Sequence, residues 1–408
     1  MNGLKNFYYR AVQVCIALGN YLLKWSGPAL LTGPGSIERL PALIRERNID
    51  RVLVVTGRTV PALGLLDGFL KEAKDCGLHC IMYSGAEPDP TIENVEEALR
   101  TYAAGACQAI VAVGGGSSMD CAKACGARVA NPGKTVQQLA GLLKVRRRLP
   151  PLFAVPTTAG TGSETTITAV ITDAGSRRKL TMNDTRLTPS CAVLDPLLTA
   201  GLPPQTTAIT GLDALTHAVE AYTNRFYNTR ATREKAREAV RLIGESLCEA
   251  YVDGGNLAAR EKMLLASHYA GIAFTRAGVG YVHSTGHTLG GLYHVPHGLA
   301  MAVLLPRVLR LYGSAAGRRL SELAAVLGLE GDTRNVRAEA FISWIEELEA
   351  RLGIPQYLDV VRDEDVEQMI RWSLAEANPL YPVPARWGKQ ELRRLLGELG
   401  RQPSDLSR

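Results

Sequence analysis

The stretch AIVAVGGGSSMDCAKA, residues 109–124, is an apolar run that meets three glycines and then two serines. Such a run, unbroken by polar residues, makes a strand buried on both faces, as in a parallel sheet. Gly114, Gly115 and Gly116 let the backbone approach a ligand closely and take positive φ values. A helix follows, with Ser117 or Ser118 as its cap and Asp120 in its first turn. Its open N–H groups and positive dipole end suit a pyrophosphate. The spacing is not G-x-G-x-x-G, so a tight β–α turn without a ligand is the other reading of the glycines alone.

Outward from this stretch the chain alternates between strands and helices. RVLVVT (51–56) and HCIMYS (79–84) read as strands before it, with helical stretches at 61–75 and 91–104. LFAVPT (152–157), TAVITD (168–173), KLTMN (179–183) and CAVLD (191–195) follow it, and 168–183 reads as a hairpin turning at Asp173–Ser176. A second polar, glycine-containing segment, VPTTAGTGSE (155–164), also leaves an apolar strand. Two such loops at strand carboxyl ends point to a dinucleotide crevice in a doubly wound, mostly parallel α/β domain. After GLPPQ (201–205) strand signals vanish and helical spacing takes over, as in TREKAREAVRLIGESLCEAY (232–251). The expected division is an α/β dinucleotide-binding domain over 1–202, opened by a helix at about 5–25, and an all-α metal-binding domain over 203–408.

A chain of 408 residues, 46% hydrophobic and 21% charged, has the composition of a globular protein of two domains. The net charge of +6 is scattered apart from KVRRR (144–148), which has no interleaved aromatics, so nucleic-acid binding is not expected and that run reads as solvated. The eight cysteines form no C-x2-C pair and read as reduced, mostly buried thiols, which fits a cytoplasmic location. AVQVCIALGNYLLKW (11–25) superficially resembles a signal peptide, but Gln13, Gly19, Asn20 and Lys24 interrupt it, and it falls short of a spanning helix. It reads as an amphipathic helix packed on the body or on a partner subunit, with no stable membrane insertion.

Four of the seven histidines fall in YVHSTGHTLGGLYHVPHG (281–298). TGLDALTHAVEAY (210–222) sets Asp213 and His217 four apart on one helical face, and His283 and His287 repeat that spacing. His294 and His297 follow, with Pro296 starting a new element. One carboxylate among imidazoles suits Fe(II), Zn(II), Mn(II) or Ni(II) and leaves room for a substrate oxygen. The alternative is a hydrogen-bonded structural knot. His79, on an expected strand, and His268, within the apolar LLASHYAGIAF (264–274), read as structural.

Together, GGGSSMDCAK, PTTAGTGSE, AVLDPLLTAGLPPQTTAITGLDALTHAVEAY and HSTGHTLGGLYHVPHGLAMAVLLP resemble the iron-dependent (group III) alcohol dehydrogenases over nearly the whole chain. The resemblance implies a dehydroquinate synthase-like architecture. It also implies reversible hydride transfer between a primary or secondary alcohol, or its aldehyde or ketone, and a nicotinamide cofactor, with the metal polarising the substrate oxygen. It puts the metal on Asp213, His217, His283 and His297, and makes His287 a catalytic histidine that orients substrate or relays a proton. It puts the cofactor on Gly114, Gly115, Gly116, Ser117, Asp120, Thr157, Thr158, Thr161 and Lys179. A homo-oligomer and Fe(II), or Zn(II) or another divalent metal, are expected on the same ground.

Two departures stand out. Arg276 in FTRAG (274–278) replaces an asparagine common in relatives, and would narrow the entry, attract an anionic substrate or lie at a subunit contact. After the first strand, where many NAD-preferring relatives have an aspartate, the chain reads Gly57-Arg58. Losing the carboxylate removes repulsion of a 2′-phosphate, and the arginine offers it a bidentate partner, so NADP(H) is favoured over NAD(H); the alternative is a loop that makes no contact with the cofactor. The rival readings are a polyol or polyol-phosphate dehydrogenase of the same fold and a non-catalytic cofactor-binding protein.

Overall fold

The computed structural model describes residues 3–23, 25–176 and 178–400. They form two compact units: Lys24–Leu202 with Gly254–Gly271, and Met1–Leu23 with Pro203–Asp253 and Ile272–Arg408.

Among the described residues the first unit is built on nine strands: β1 (Ala29–Thr32), β2 (Arg51–Thr56), β3 (His79–Tyr83), β4 (Ala109–Gly114), β5 (Gly141–Leu142), β6 (Leu152–Pro156), β7 (Thr168–Asp173), β8 (Arg178–Asn183) and β9 (Cys191–Leu194). Six form a wholly parallel sheet in the order β1-β9-β6-β4-β2-β3, and β5-β8-β7 form a second sheet. The β-branched runs bury alternate residues in two cores. Leu53, Val55, Ile110 and Ala112 face one, and Val52, Val54, Val111 and Val113 face the other. A sheet covered on both faces explains why these strands read as continuous apolar runs. The expected hairpin is the antiparallel β7–β8 pair, whose turn is fastened by Asp173 accepting from Gly175 N and Ser176 N. β1 and β5 were not expected. β1 is four residues on the sheet edge, and β5 is two residues paired to β8, both too short for a periodic signal.

Strand order turns between β2 and β4: the chain steps from β2 to β3 at one edge, then from β4 through β6 to β9 toward the other. Open α/β sheets bind ligands at the carboxyl ends of strands beside such a switch point. The carboxyl ends there are Gly57, Gly114 and Thr157.

The second unit is helical, with no strand after β9 among the described residues. The chain passes between units at Leu202–Pro203, near the expected boundary, but two segments group otherwise. The Gly3–Leu22 helix goes with the helical unit, where fully buried Gln13 donates from Nε2 to Pro379 O and Tyr381 O, both at 2.8 Å. Residues 254–271 go with the sheet unit, where a Cβ on Gly162 would lie 2.8 Å from Gly271 Cα. No disulfide forms: all eight cysteines are thiols, four of them buried. No single helix among the described residues is long and apolar enough to cross a membrane. In KVRRR, Val145 is buried while the three arginines are exposed.

Candidate metal centre and cofactor loops

Within the helical unit, the Pro204–Thr223 helix starts at Pro204, where the missing N–H costs nothing. It carries Asp213, His217 and Glu220 at spacings of four and three, on one face. The Tyr281–Tyr293 helix carries His283 and His287 and ends at His294, whose left-handed φ of 55° caps it. His294 is thus a chain-turning residue. Val295 and Pro296 make the corner, and His297 opens the His297–Tyr312 helix. Gly298 lets that helix close on its neighbour, since a Cβ there would fall 2.2 Å from Ile209 O.

These helices bring the four sequence-predicted ligands together. Asp213 Oδ1 lies 3.4 Å from His297 Nε2, 3.8 Å from His217 Nδ1 and 4.0 Å from His283 Nε2. Asp213, His283 and His297 each offer one ligand atom within 4.8 Å of one another. His217 stands beside that trio, its ring stacked on His283 at 4.6 Å and on Phe274 at 4.1 Å. Asp213 Oδ1, His217 Nδ1 and His283 Nε2 are buried and have no hydrogen-bond partner among the described residues. Three converging buried atoms of acceptor type, all left unsatisfied, fit a cation. Burial would raise the Asp213 carboxyl, but the surrounding imidazoles hold it well below the usual carboxylate range. Burial pushes His217 down to about 3, and His283 well below its ordinary value. Neutral imidazoles beside an ionised carboxylate are the protonation states that a divalent metal requires.

Sequence reasoning missed two glutamates. Glu220, 2% exposed, accepts from His283 Nδ1 at 2.6 Å and from Gly280 N and Val282 N at 2.8 Å each. A carboxylate accepting from Nδ1 leaves the lone pair on Nε2, the nitrogen that faces Asp213. Burial raises the Glu220 carboxyl to about 7, against the pull of those two backbone N–H groups. Its signal was present: it sits three residues after His217, on the same face. Glu376, on the Asp363–Ala377 helix, accepts from His287 Nδ1 at 2.8 Å. Burial opposes ionisation there, yet His287 and Tyr381 hold the carboxyl below its ordinary value. A separation of 89 residues hides this pair from any local pattern. Arg276 lies over the Tyr21 ring, 5.5 Å from its centroid, on the N-terminal helix.

In the sheet unit, β4 ends at Gly114 with φ +149°, where a Cβ would meet Ser118 Oγ at 2.5 Å. The Gly116–Ala130 helix follows. Its N-cap is Gly115, with no side-chain cap, so neither Ser117 nor Ser118 caps it as expected. Thr157 N donates to Gly114 O at 3.0 Å, and Cβ atoms on Gly115 and Gly116 would lie 3.5 Å from Thr158 Oγ1 and 3.0 Å from Thr161 Cγ2. Both polar loops therefore flank one uncapped helix N-terminus, and this bare backbone cradle fits a pyrophosphate. Ser117 stands in the first turn of the helix. Asp120 is turned inward instead: it accepts from Ser163 Oγ and Val170 N, both at 3.0 Å. Beside it Lys123, unexpected and fully buried, donates to Ser163 O, Ser163 Oγ, Thr166 Oγ1 and Thr168 O. Lys179 pairs with Asp89 at 2.7 Å on the surface. Gly57 packs under Ala86 O, 3.1 Å from where its Cβ would be, and Arg58 is exposed beside it. His79 is exposed at the start of β3, and His268 is buried, 3.5 Å from Glu164.

The family model "Iron-containing alcohol dehydrogenase" matches residues 28–196, and "Fe-containing alcohol dehydrogenase family, C-terminal" matches residues 207–399. The 1,3-propanediol dehydrogenase of Klebsiella pneumoniae is 38% identical over 366 residues, covering 88% of this chain and 94% of that protein. The NAD-dependent methanol dehydrogenase of Bacillus methanolicus is 36% identical over 348 residues, covering 84% and 91%. The solved alcohol dehydrogenase from Oenococcus oeni superposes with a TM-score of 0.88 at 34% identity, covering 92% of this chain and 99% of that one. The chain belongs to the iron-containing alcohol dehydrogenase family. It is accordingly a metal-dependent oxidoreductase that moves a hydride reversibly between alcohols, or their carbonyl counterparts, and a nicotinamide cofactor.

Proposed function

We propose that Asp213, His217, His283 and His297 hold one Fe(II), or Zn(II) or another divalent ion in its place, and that NADP(H) is the preferred cofactor. The observation that carries the metal assignment is the set of unsatisfied buried atoms on Asp213, His217 and His283. The cofactor assignment rests on Gly114–Ser117 with Thr157, Thr158 and Thr161 around one helix N-terminus; Asp120, which accepts from Ser163, and Lys179, paired with Asp89, belong to the same proposed set. Bound there, the metal supplies Lewis acidity to the substrate oxygen and the nicotinamide supplies or accepts the hydride.

The protein's own part is binding, orientation and proton handling. Glu220 keeps His283 in one tautomer, and the neutral imidazoles keep their lone pairs available. His287, half exposed beside the ligand group, is the residue that orients the substrate hydroxyl and takes up or returns its proton. Gly57 in place of a carboxylate, with exposed Arg58 next to it at the end of β2, supports room and charge for a 2′-phosphate. Two domains that meet in the chain near Pro203, a reading supported by family-model matches ending at 196 and starting at 207, and a homo-oligomer belong to the same proposal. Exposed Phe7, Leu18, Tyr21 and Leu22 on the N-terminal helix support a subunit contact there. The unpaired thiols support a cytoplasmic location.

The test is to follow NADPH and NADH oxidation separately with short aldehydes on protein loaded with Fe(II) without air. NADPH should lead in kcat/KM. In Arg58→Ala its advantage should fall by roughly 10- to 100-fold, the worth of a charge-assisted phosphate contact. An equal or higher kcat/KM with NADH in the unaltered protein rejects the NADP(H) assignment.

A further inference from the structure

His287 is gripped from outside the ligand group. Glu376 Oε1 takes its Nδ1 at 2.8 Å and also accepts from Tyr381 Oη at 2.8 Å. A carboxylate only accepts, so Nδ1 carries the proton and Nε2 keeps its lone pair. The ring lies 5.4 Å from that of His297 and 5.9 Å from that of His283, so the basic nitrogen belongs to the same site as the metal ligands. Tyr381 is fixed in turn. Its N–H donates to Ala377 O at 2.8 Å, and its carbonyl, with that of Pro379, accepts from Gln13 Nε2. Arg10 adds a bond to Val383 O at 3.1 Å, and Arg386 lies 4.0 Å over the Tyr9 ring. The Gly3–Leu22 helix thus clamps residues 379–386, although it precedes residue 28, where the match to the family begins.

We propose that Glu376 is a positioning residue for His287, locked by Tyr381 and, through the 379–381 segment, by Gln13 of the N-terminal helix. It presents Nε2 of His287 as the base for the alcohol. In oxidation the O–H bond breaks, its proton passes to Nε2, and the resulting imidazolium is held by the Glu376 carboxylate while the hydride leaves carbon for the nicotinamide. In reduction the same proton returns to the oxygen. This rests on the role given above to His287.

Two readouts separate the possibilities. The first is the tautomer of His287 in metal-free, 15N-histidine-labelled protein, assigned with His287→Gln. The second is steady-state kinetics of the Fe(II)-loaded enzyme. The Nδ1–H form is expected in the unaltered protein and is expected to be lost in Glu376→Leu, whose side chain fills similar space without accepting. In that variant kcat for alcohol oxidation should fall about 10- to 100-fold, with cofactor KM and Fe(II) Kd within about twofold. Glu376→Gln, which still accepts, should fall between the two. A tautomer unchanged in Glu376→Leu overturns the positioning role. A lost tautomer with kcat unchanged shows instead that His287 is not the base, and overturns the reading on which the proposal rests.

Discussion

His283 concentrates the chemistry of the site in one side chain: Nδ1 is held by Glu220, and Nε2 faces Asp213 with no hydrogen-bond partner among the described residues. A buried polar atom left so costs about 1–3 kcal/mol, which a bound cation repays. His283→Ala should abolish Fe(II) retention and activity together, read by metal analysis and turnover on one sample. Full activity without metal would contradict the site. Glu220→Gln should weaken Fe(II) binding by about 10- to 100-fold, the usual loss when a ligand's outer hydrogen bond is altered. At this scale much of the site was legible, because histidines are scarce and their i, i+4 spacing with Asp213 puts them on shared faces. What stayed hidden were partners with no local signature. Glu376 meets His287 only through the packing of two distant helices, and Lys123 reads as one polar residue in a small-residue helix.

Among elements, the decisive junction joins β4, β6 and the Gly116–Ala130 helix. Pairing of Gly114 with Pro156 sets the two polar loops side by side, and Lys123 with Asp120 fastens the second loop to the helix. Lys123→Met would remove the cation that most favours ionisation of the Asp120 carboxyl and leave the acceptors on Ser163, Thr166 and Thr168 without their shared donor, at a cost of roughly 1–3 kcal/mol. The expected outcome is a lower urea midpoint and a raised cofactor KM, with Fe(II) binding unchanged. An unaltered cofactor KM in folded Lys123→Met would show that the brace does not shape the cradle. The sequence marked these strands and the loop glycines because buried parallel strands are continuous apolar runs. It did not mark β1, whose four residues are partly exposed on the sheet edge, or the helix cap, which falls to Gly115 because the tight exit from β4 leaves no side chain there.

For the whole molecule, the turn from alternating strands to helices placed the break near Pro203, but the return of residues 254–271 to the sheet unit depends on contacts that no local composition announces. One buried acid tests global stability. Glu349 is 8% exposed, its Oε1 has no hydrogen-bond partner among the described residues, and burial lifts its carboxyl well above the usual value of 4.5. Its folded form therefore keeps a proton that the unfolded chain has lost. Its contribution to stability is intact below pH 4.5 and declines as pH rises toward the folded value. Glu349→Gln should then gain about 1 kcal/mol at pH 8 and nothing at pH 4, seen in urea midpoints at the two pH values. An equal change at both would exclude titration of Glu349 as the cause. The central claim, that one divalent ion at Asp213, His217, His283 and His297 is required for alcohol oxidoreduction, is tested most directly by stripping the enzyme with a chelator and restoring Fe(II) without air. Aldehyde-dependent NAD(P)H oxidation should vanish on stripping and return with one equivalent per chain. Undiminished turnover in the stripped protein would contradict the account.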